Sequence, residues 1–161
     1  HPRVIIPLIE GGSWFGFQGR SLDPQDKMRY VTVILEDDKK KIYGLNHCSF
    51  DETLFVTEGP IDSLFLKNAI AMVGADVDWK FAEEKNVVFV YDNEPRNEQI
   101  VRRMQTVIDR GLRLVIWPQH VQQKDINDMV TAGHNVQSIV ECNTTSGLKA
   151  QLTLNDWKRV L

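Results

Sequence analysis

Cysteine is scarce in this sequence. Cys48 and Cys142 are the only two in 161 residues, far apart and without a CxxC partner. Neither a zinc ribbon nor a disulfide framework can be built from such a pair, so no structural zinc is expected and both read as small buried residues. Long hydrophobic runs are missing too. No apolar stretch reaches the roughly 18 residues of a membrane helix, and no basic-then-apolar leader opens the chain, so a cytoplasmic protein without a membrane partner is expected. Excess positive charge is also absent: 19 Lys and Arg stand against 22 Asp and Glu, a net −3. Taken alone, that balance argues against a phosphate-binding protein. The objection weakens if the acids are grouped to hold metal, because two bound divalent cations would turn the balance positive. The chain opens on His1-Pro2 without an initiator methionine, which reads as a fragment of a longer protein.

What is present begins with enough apolar residues, 42%, for a real core. The first fifty residues carry short β-like runs, Val4 to Ile6, Trp14 to Phe17, Tyr30 to Leu35 and Lys41 to Leu45. Gly11-Gly12, Asp23-Pro24 and the charged stretch Asp37 to Lys40 separate them. From Asp51 the rhythm becomes apolar strand, helix, apolar strand, the pattern of parallel βα units in an α/β fold. Leu54 to Thr57 reads as a strand, Ile61 to Ala69 as a helix, Ala71 to Gly74 and Val87 to Tyr91 as strands. Asn97 to Arg110 reads as an amphipathic helix with Ile100, Met104, Val107 and Ile108 inward and Arg102 and Arg103 on the polar face. Gly111 is its natural stop. Leu112 to Trp117 supplies another strand and Ile126 to Ala132 a short helix. The tail after Gly133 shows no clear pattern.

The acids are not scattered. Glu58 follows one predicted strand and Asp92 another, Glu94 comes two residues later, and Asp125 with Asp128 follows the third. Carboxyl ends of parallel strands form the ligand crevice of open sheets. Carboxylates packed there would repel one another and raise one another's pKa, so a divalent cation is the simplest stabilising partner. The bland alternative is that acids after strands merely favour helix N-termini, and for Asp62, in a first helical turn, it is a serious rival. For three successive units together it is weaker. Gly59-Pro60 strengthens the case, with Gly allowing a sharp turn and Pro preorganised for the first helical position.

These residues carry a family resemblance. FVTEGPIDSLFL (Phe55 to Leu66) resembles the first TOPRIM motif, a strand ending in Glu-Gly before a helix with an early Asp. VVFVYDNEPRN (Val87 to Asn97) resembles the second, a strand ending in Asp-x-Asp, with Glu94 in place of the second Asp. KDINDMV (Lys124 to Val130) is similar to the third acidic segment of primases, with Asn127 where many members have another Asp. The segments WFGFQGRSLDPQDKMRYVTV and KIYGL resemble the text that precedes TOPRIM in DnaG-type and bacteriophage primases, tailed-phage primases most of all. The resemblance implies a TOPRIM fold of parallel strands flanked by helices over residues 51–134. A small strand-rich α+β part over 1–50 would precede it, and a tail over 135–161 would pack on the core.

It also implies function: a DNA primase catalytic core joining ribonucleoside triphosphates into RNA primers on single-stranded DNA, with a replicative helicase as partner. The expected cofactor is Mg²⁺ or Mn²⁺, two ions, held by Glu58, Asp62, Asp92, Glu94 and Asp125. Catalysis would rest on Glu58, Asp92 and Glu94, with Glu58 either a metal ligand or a general acid/base. Arg20, Lys27 and Arg29 match the family's basic segment near nucleotide and template. Arg can grip a phosphate bidentately, and Lys acts as a point charge. Trp14, Phe15 and Phe17 could stack on bases or pack in the core. His47, His120 and His134 lack metal-ligand spacing. Two alternatives use the same acids or none: a TOPRIM nuclease or topoisomerase fragment, and a non-catalytic module that binds a replication partner.

Overall fold

The computed structural model describes residues 2–36, 38–74 and 77–160; Asp37, in the expected charged stretch, lies outside the described residues. Two sheets organise the described chain. β1 (Arg3–Glu10), β2 (Ser13–Ser21) and β3 (Tyr30–Ile34) form an antiparallel meander in the order β1-β2-β3. Gly11 and Gly12 turn β1 into β2 with φ of 58° and 81°, the left-handed region that favours glycine. A register shift at Leu8/Ile9 bends this sheet. The bend accompanies a small core of Leu8, Phe15 and Val73, against which Ile34 and Tyr43 pack.

The second sheet comprises β4 (Ile42–Tyr43), β5 (Leu54–Thr57), β6 (Ala69–Met72), β7 (Val87–Val90), β8 (Arg113–Val115) and β9 (Thr144–Thr145), ordered β4-β6-β5-β7-β8-β9. The four inner strands are parallel, and β4 and β9 close the edges antiparallel. Every residue of β5 and β7 is buried, as expected of strands covered on both faces. The intervening helices are α1 (Pro60–Ser63), α2 (Trp79–Glu84), α3 (Glu98–Asp109), α4 (Ile126–Thr131), α5 (Val136–Cys142) and α6 (Gly147–Trp157). This is the expected α/β fold, parallel strands flanked by helices beside a small antiparallel sheet.

Several local expectations change. The helix read over Ile61 to Ala69 is a single turn, because the chain must leave it to start β6 at Ala69, and Leu64 and Phe65 are left exposed. β4, only two residues long with Ile42 buried in the larger core, joins the larger sheet by pairing with β6 rather than the meander. Cys142 is exposed at the end of α5, not buried. Among the aromatics, Phe15 is core, while Trp14 is exposed. No described helix is long and apolar enough to cross a membrane.

Candidate active site

Strand order reverses at the middle of the large sheet. β5 is followed by β6 on one side, and the chain then returns to lay β7 on the other side of β5. At such a reversal the flanking connections diverge and leave a crevice outside the carboxyl ends of the two strands. Glu58 follows β5 directly and Asp92 follows β7 after one residue, so the topology delivers both to that crevice. A cleft of about 540 Å³ opens there, lined by Glu58, Asp62, Asp92, Glu94 and Asp125. The meander forms its opposite wall with Arg20, Arg29 and Tyr30. The structure therefore brings together all five acids and two of the three predicted basic residues. Lys27 is exposed and does not line the cleft; Arg20 is steadied by lying over the Tyr30 ring at 5.7 Å.

Each acid is held by a different local device. Glu58 receives the Arg103 guanidinium at 2.6 Å on Oε1 and the backbone N–H of Asp92 at 3.1 Å on Oε2. Gly59 is not there for unusual backbone freedom, since its φ of −119° is open to any residue. A Cβ here would sit 3.3 Å from Asp62 Oδ2, a tight contact to which that carboxylate would have to yield. Pro60 occupies the first turn of α1, as its fixed φ favours. Asp62 accepts the Asn127 N–H at 3.1 Å, joining α1 to the start of α4. Asp125 caps α4 by accepting the Asp128 N–H at 2.8 Å. Asp125 thus does serve a helix N-terminus, and it lines the cleft as well. Glu94 faces Lys124 Nζ at 3.5 Å.

Asp92 is the least compensated. Burial first, then the charges of Glu58 and Asp62, push its carboxyl up to about 7, against the pull of Lys124. Asp62 is pushed up to about 6, chiefly by burial, although the Asn127 N–H favours its charged form. Burial also pushes the Tyr91 phenol well up, with Glu58 adding to the effect. Burial comes first for both Asp62 and Asp92 and neighbouring carboxylates add to it, so a cation entering the cleft would favour the charged form of both.

Two contributors escape sequence reading. Arg103 lies on the polar face of α3, and nothing in its helical spacing says that this face meets the end of β5. Asn93 stands between two acids and resembles a spacer, yet it is a four-way clamp. Its N–H donates to Lys124 O at 2.6 Å, and its Nδ2 to Val121 O at 2.9 Å and Gln123 O at 3.0 Å. Its Oδ1 accepts the Trp157 Nε1–H at 3.2 Å. These bonds lock the Asp92–Glu94 turn to the loop carrying Asp125 and to the last turn of α6. The repulsion expected among the acids is also only partial, since Arg103 offsets Glu58.

The donor set is oxygen only, which suits a hard divalent cation. Among the described residues no group of three or more His, Cys, Asp and Glu is disposed to cage an ion. The fit is thus to a largely hydrated cation held by one or two carboxylates, the manner of Mg²⁺.

The fold is shared with DnaG-type primase catalytic cores. The RNA polymerase domain of Mycobacterium tuberculosis primase superposes with a TM-score of 0.68 at 17% identity, covering 90% of this chain and 56% of that one. A DnaG primase catalytic domain bound to single-stranded DNA gives 0.62 at 22% identity, over 84% and 49%. In sequence, the chain is 35% identical over 166 aligned residues to the DNA primase of Enterobacteria phage T4, covering 99% of this chain and 48% of the relative. The chain belongs to the DNA primase family, and it spans about half the length of that curated relative. No protein-family model matches it.

Proposed function

We propose that this chain carries the nucleotidyl-transfer site of a DNA primase, which makes short RNA primers from ribonucleoside triphosphates on single-stranded DNA in a metal-dependent reaction. The observation that carries this is the convergence of five carboxylates from successive βα units on one crevice, with Arg20 and Arg29 on the facing wall. In the reaction, a ribose 3′-oxygen attacks the α-phosphorus of the incoming nucleotide and pyrophosphate leaves. Mg²⁺ or Mn²⁺, two ions when fully loaded, would be held by Asp92, Glu94 and Asp125 with Asp62 and Glu58 at the margin, and would neutralise phosphoryl oxygens and orient them. Arg20 and Arg29 engage phosphates of nucleotide or template across the cleft.

Glu58 is fixed by its two bonds, and each oxygen keeps lone-pair capacity toward the cleft. That suits it to orient a hydrated cation or to exchange a proton with the reacting hydroxyl. A single-stranded template is supported by the DNA-bound relative. The helicase partner and a cytoplasmic setting rest on the family resemblance. Incubating the complete protein with single-stranded DNA, labelled ribonucleotides and Mg²⁺ tests the reading. Labelled primers that vanish in Glu58→Gln are expected; DNA cleavage without incorporation would transfer the site to a nuclease.

A further inference from the structure

The carboxyl edge of the sheet holds a second cleft, of about 460 Å³, on the far side of the Asp92–Asn97 loop. Asn93, Arg96, Gln119, Gln122, Trp157 and Arg159 line it, and no carboxylate does. In a chain of net charge −3, a cleft with two guanidiniums and no acid is a marked local inversion. Arg96 is exposed and has no ion-pair partner among the described residues. Arg159 donates through Nη1 to the carbonyls of Asp156, Trp157 and Lys158 at the end of α6. It thereby offsets the negative helix end that would otherwise repel an anion, and its remaining N–H groups stay free to donate. The side-chain amides add neutral donors. Trp157 is almost wholly buried, so it forms a wall and not a stacking platform.

The two clefts adjoin at one loop. A hollow over the loop is lined by Glu94 and Asn97, which also line the acidic cleft, and by Pro95 and Arg96, which also line the cationic one. We infer that the cationic cleft continues the nucleic-acid path, gripping phosphodiesters of the single strand beyond the reacting nucleotide. The inference rests on the primase reading of the acidic cleft and extends it. A linear polyanion fits this arrangement better than a lone nucleotide, because Arg96 and Arg159 line a carboxylate-free cleft that adjoins the acidic one across the Glu94 to Asn97 loop. The hollow on the opposite, amino edge of the sheet has no such character: Glu52 and Glu141 stand there beside Lys67 and Arg113.

The test is fluorescence anisotropy of the complete protein with labelled oligodeoxythymidines of about 4 and about 16 nucleotides, spanning the usual range of single-strand site sizes. Arg96→Glu should weaken the long oligonucleotide roughly tenfold, as expected when a hydrogen bond to a charged group is removed. It should leave the short one unchanged and lower the salt slope by about 0.7 for each phosphate that is no longer neutralised. Lys80→Glu, the same charge change at an exposed position of α2, should alter neither. Unchanged long-strand affinity in Arg96→Glu overturns the inference, as does equal weakening for both lengths or equal weakening in Lys80→Glu. If instead Arg20→Glu with Arg29→Glu fails to weaken either oligonucleotide, the primase reading of the acidic cleft is the part that falls.

Discussion

The two edges of the six-stranded sheet are built on the same parallel strands and the same core, yet they handle charge in opposite ways. At the amino edge, a cleft of about 320 Å³ mixes signs, with Lys67 and Arg113 among Glu52 and Glu141. Its polar groups satisfy one another: Asn68 alone bonds Ser49 twice and Thr53 once, and Gln137 receives the Lys67 N–H. At the carboxyl edge like charges accumulate, and two carboxyls are pushed up to about 6 and about 7. Uncompensated charge costs stability wherever it is buried. Two carboxyls so displaced, found at this edge alone among the described residues, mark where a bound cation would favour the charged form.

The most severe way to break the contrast is to alter Glu58. Glu58→Gln preserves shape but removes the charge, and primer synthesis should fall by roughly a hundredfold or more. Thermal stability should change little, because the loss of the Arg103 pair is set against relief of Asp92. Wild-type primer yield would remove Glu58 from the mechanism. Arg103→Ala comes next, with an expected loss of about tenfold in primer synthesis, since Glu58 keeps only its Asp92 bond. Arg103→Lys should restore part of it through a single charged hydrogen bond, and failure of any rescue would count against a positioning role.

Asp92→Asn sharpens the comparison through pH. Well below the usual 3.8, Asp92 is protonated whether folded or not and has no effect. As pH rises from there toward about 7, the folded state holds the proton more tightly than the unfolded one, so stability falls. Above about 7 the penalty is complete. The variant should match wild type near pH 3 in thermal denaturation and exceed it at pH 8 by about 1–2 kcal/mol, after discounting for the open cleft. Mn²⁺ should stabilise wild type more than the variant at the higher pH, and calorimetry should show weaker binding to the variant. The smallest effect is expected at the other edge. Glu141→Gln, exposed on α5, should shift stability by no more than about 0.5 kcal/mol and leave priming unchanged.

Much of this was readable in the chain itself, and for definite reasons. Strands buried on both faces are written as unbroken apolar runs, so Leu54 to Thr57 and Val87 to Val90 announced themselves together with the acids after them. The inward face of α3, Ile100, Met104, Val107 and Ile108, is also the buried set. What remained hidden depends on contacts between distant segments. β9 is two residues long, too short for any periodic signal, and β4, foreseen as a β-like run over Lys41 to Leu45, carries no sign that its partner is β6. The single-turn α1 is cut short by the demand of β6, not by a stop residue. Arg103 and Asn93 carry ordinary polar side chains whose partners lie 45 and between 28 and 64 residues away. Only the folded chain reveals those partners.

The Asn93 clamp has a consequence for the order in which the molecule matures. Its partners at Val121 to Lys124 emerge well after β7, and Trp157, with Arg159 bonding Pro95 O at 2.7 Å, comes almost at the end of the described chain. During synthesis from the N-terminus, the strands bearing Glu58 and Asp92 can pair long before those clamps exist. The acidic turn is therefore fastened in two stages, first to residues 121–124 and then to the end of α6. A nascent chain halted before α6 would hold a formed sheet whose charged turn is tied to residues 121–124 but still lacks its Trp157 and Arg159 bonds.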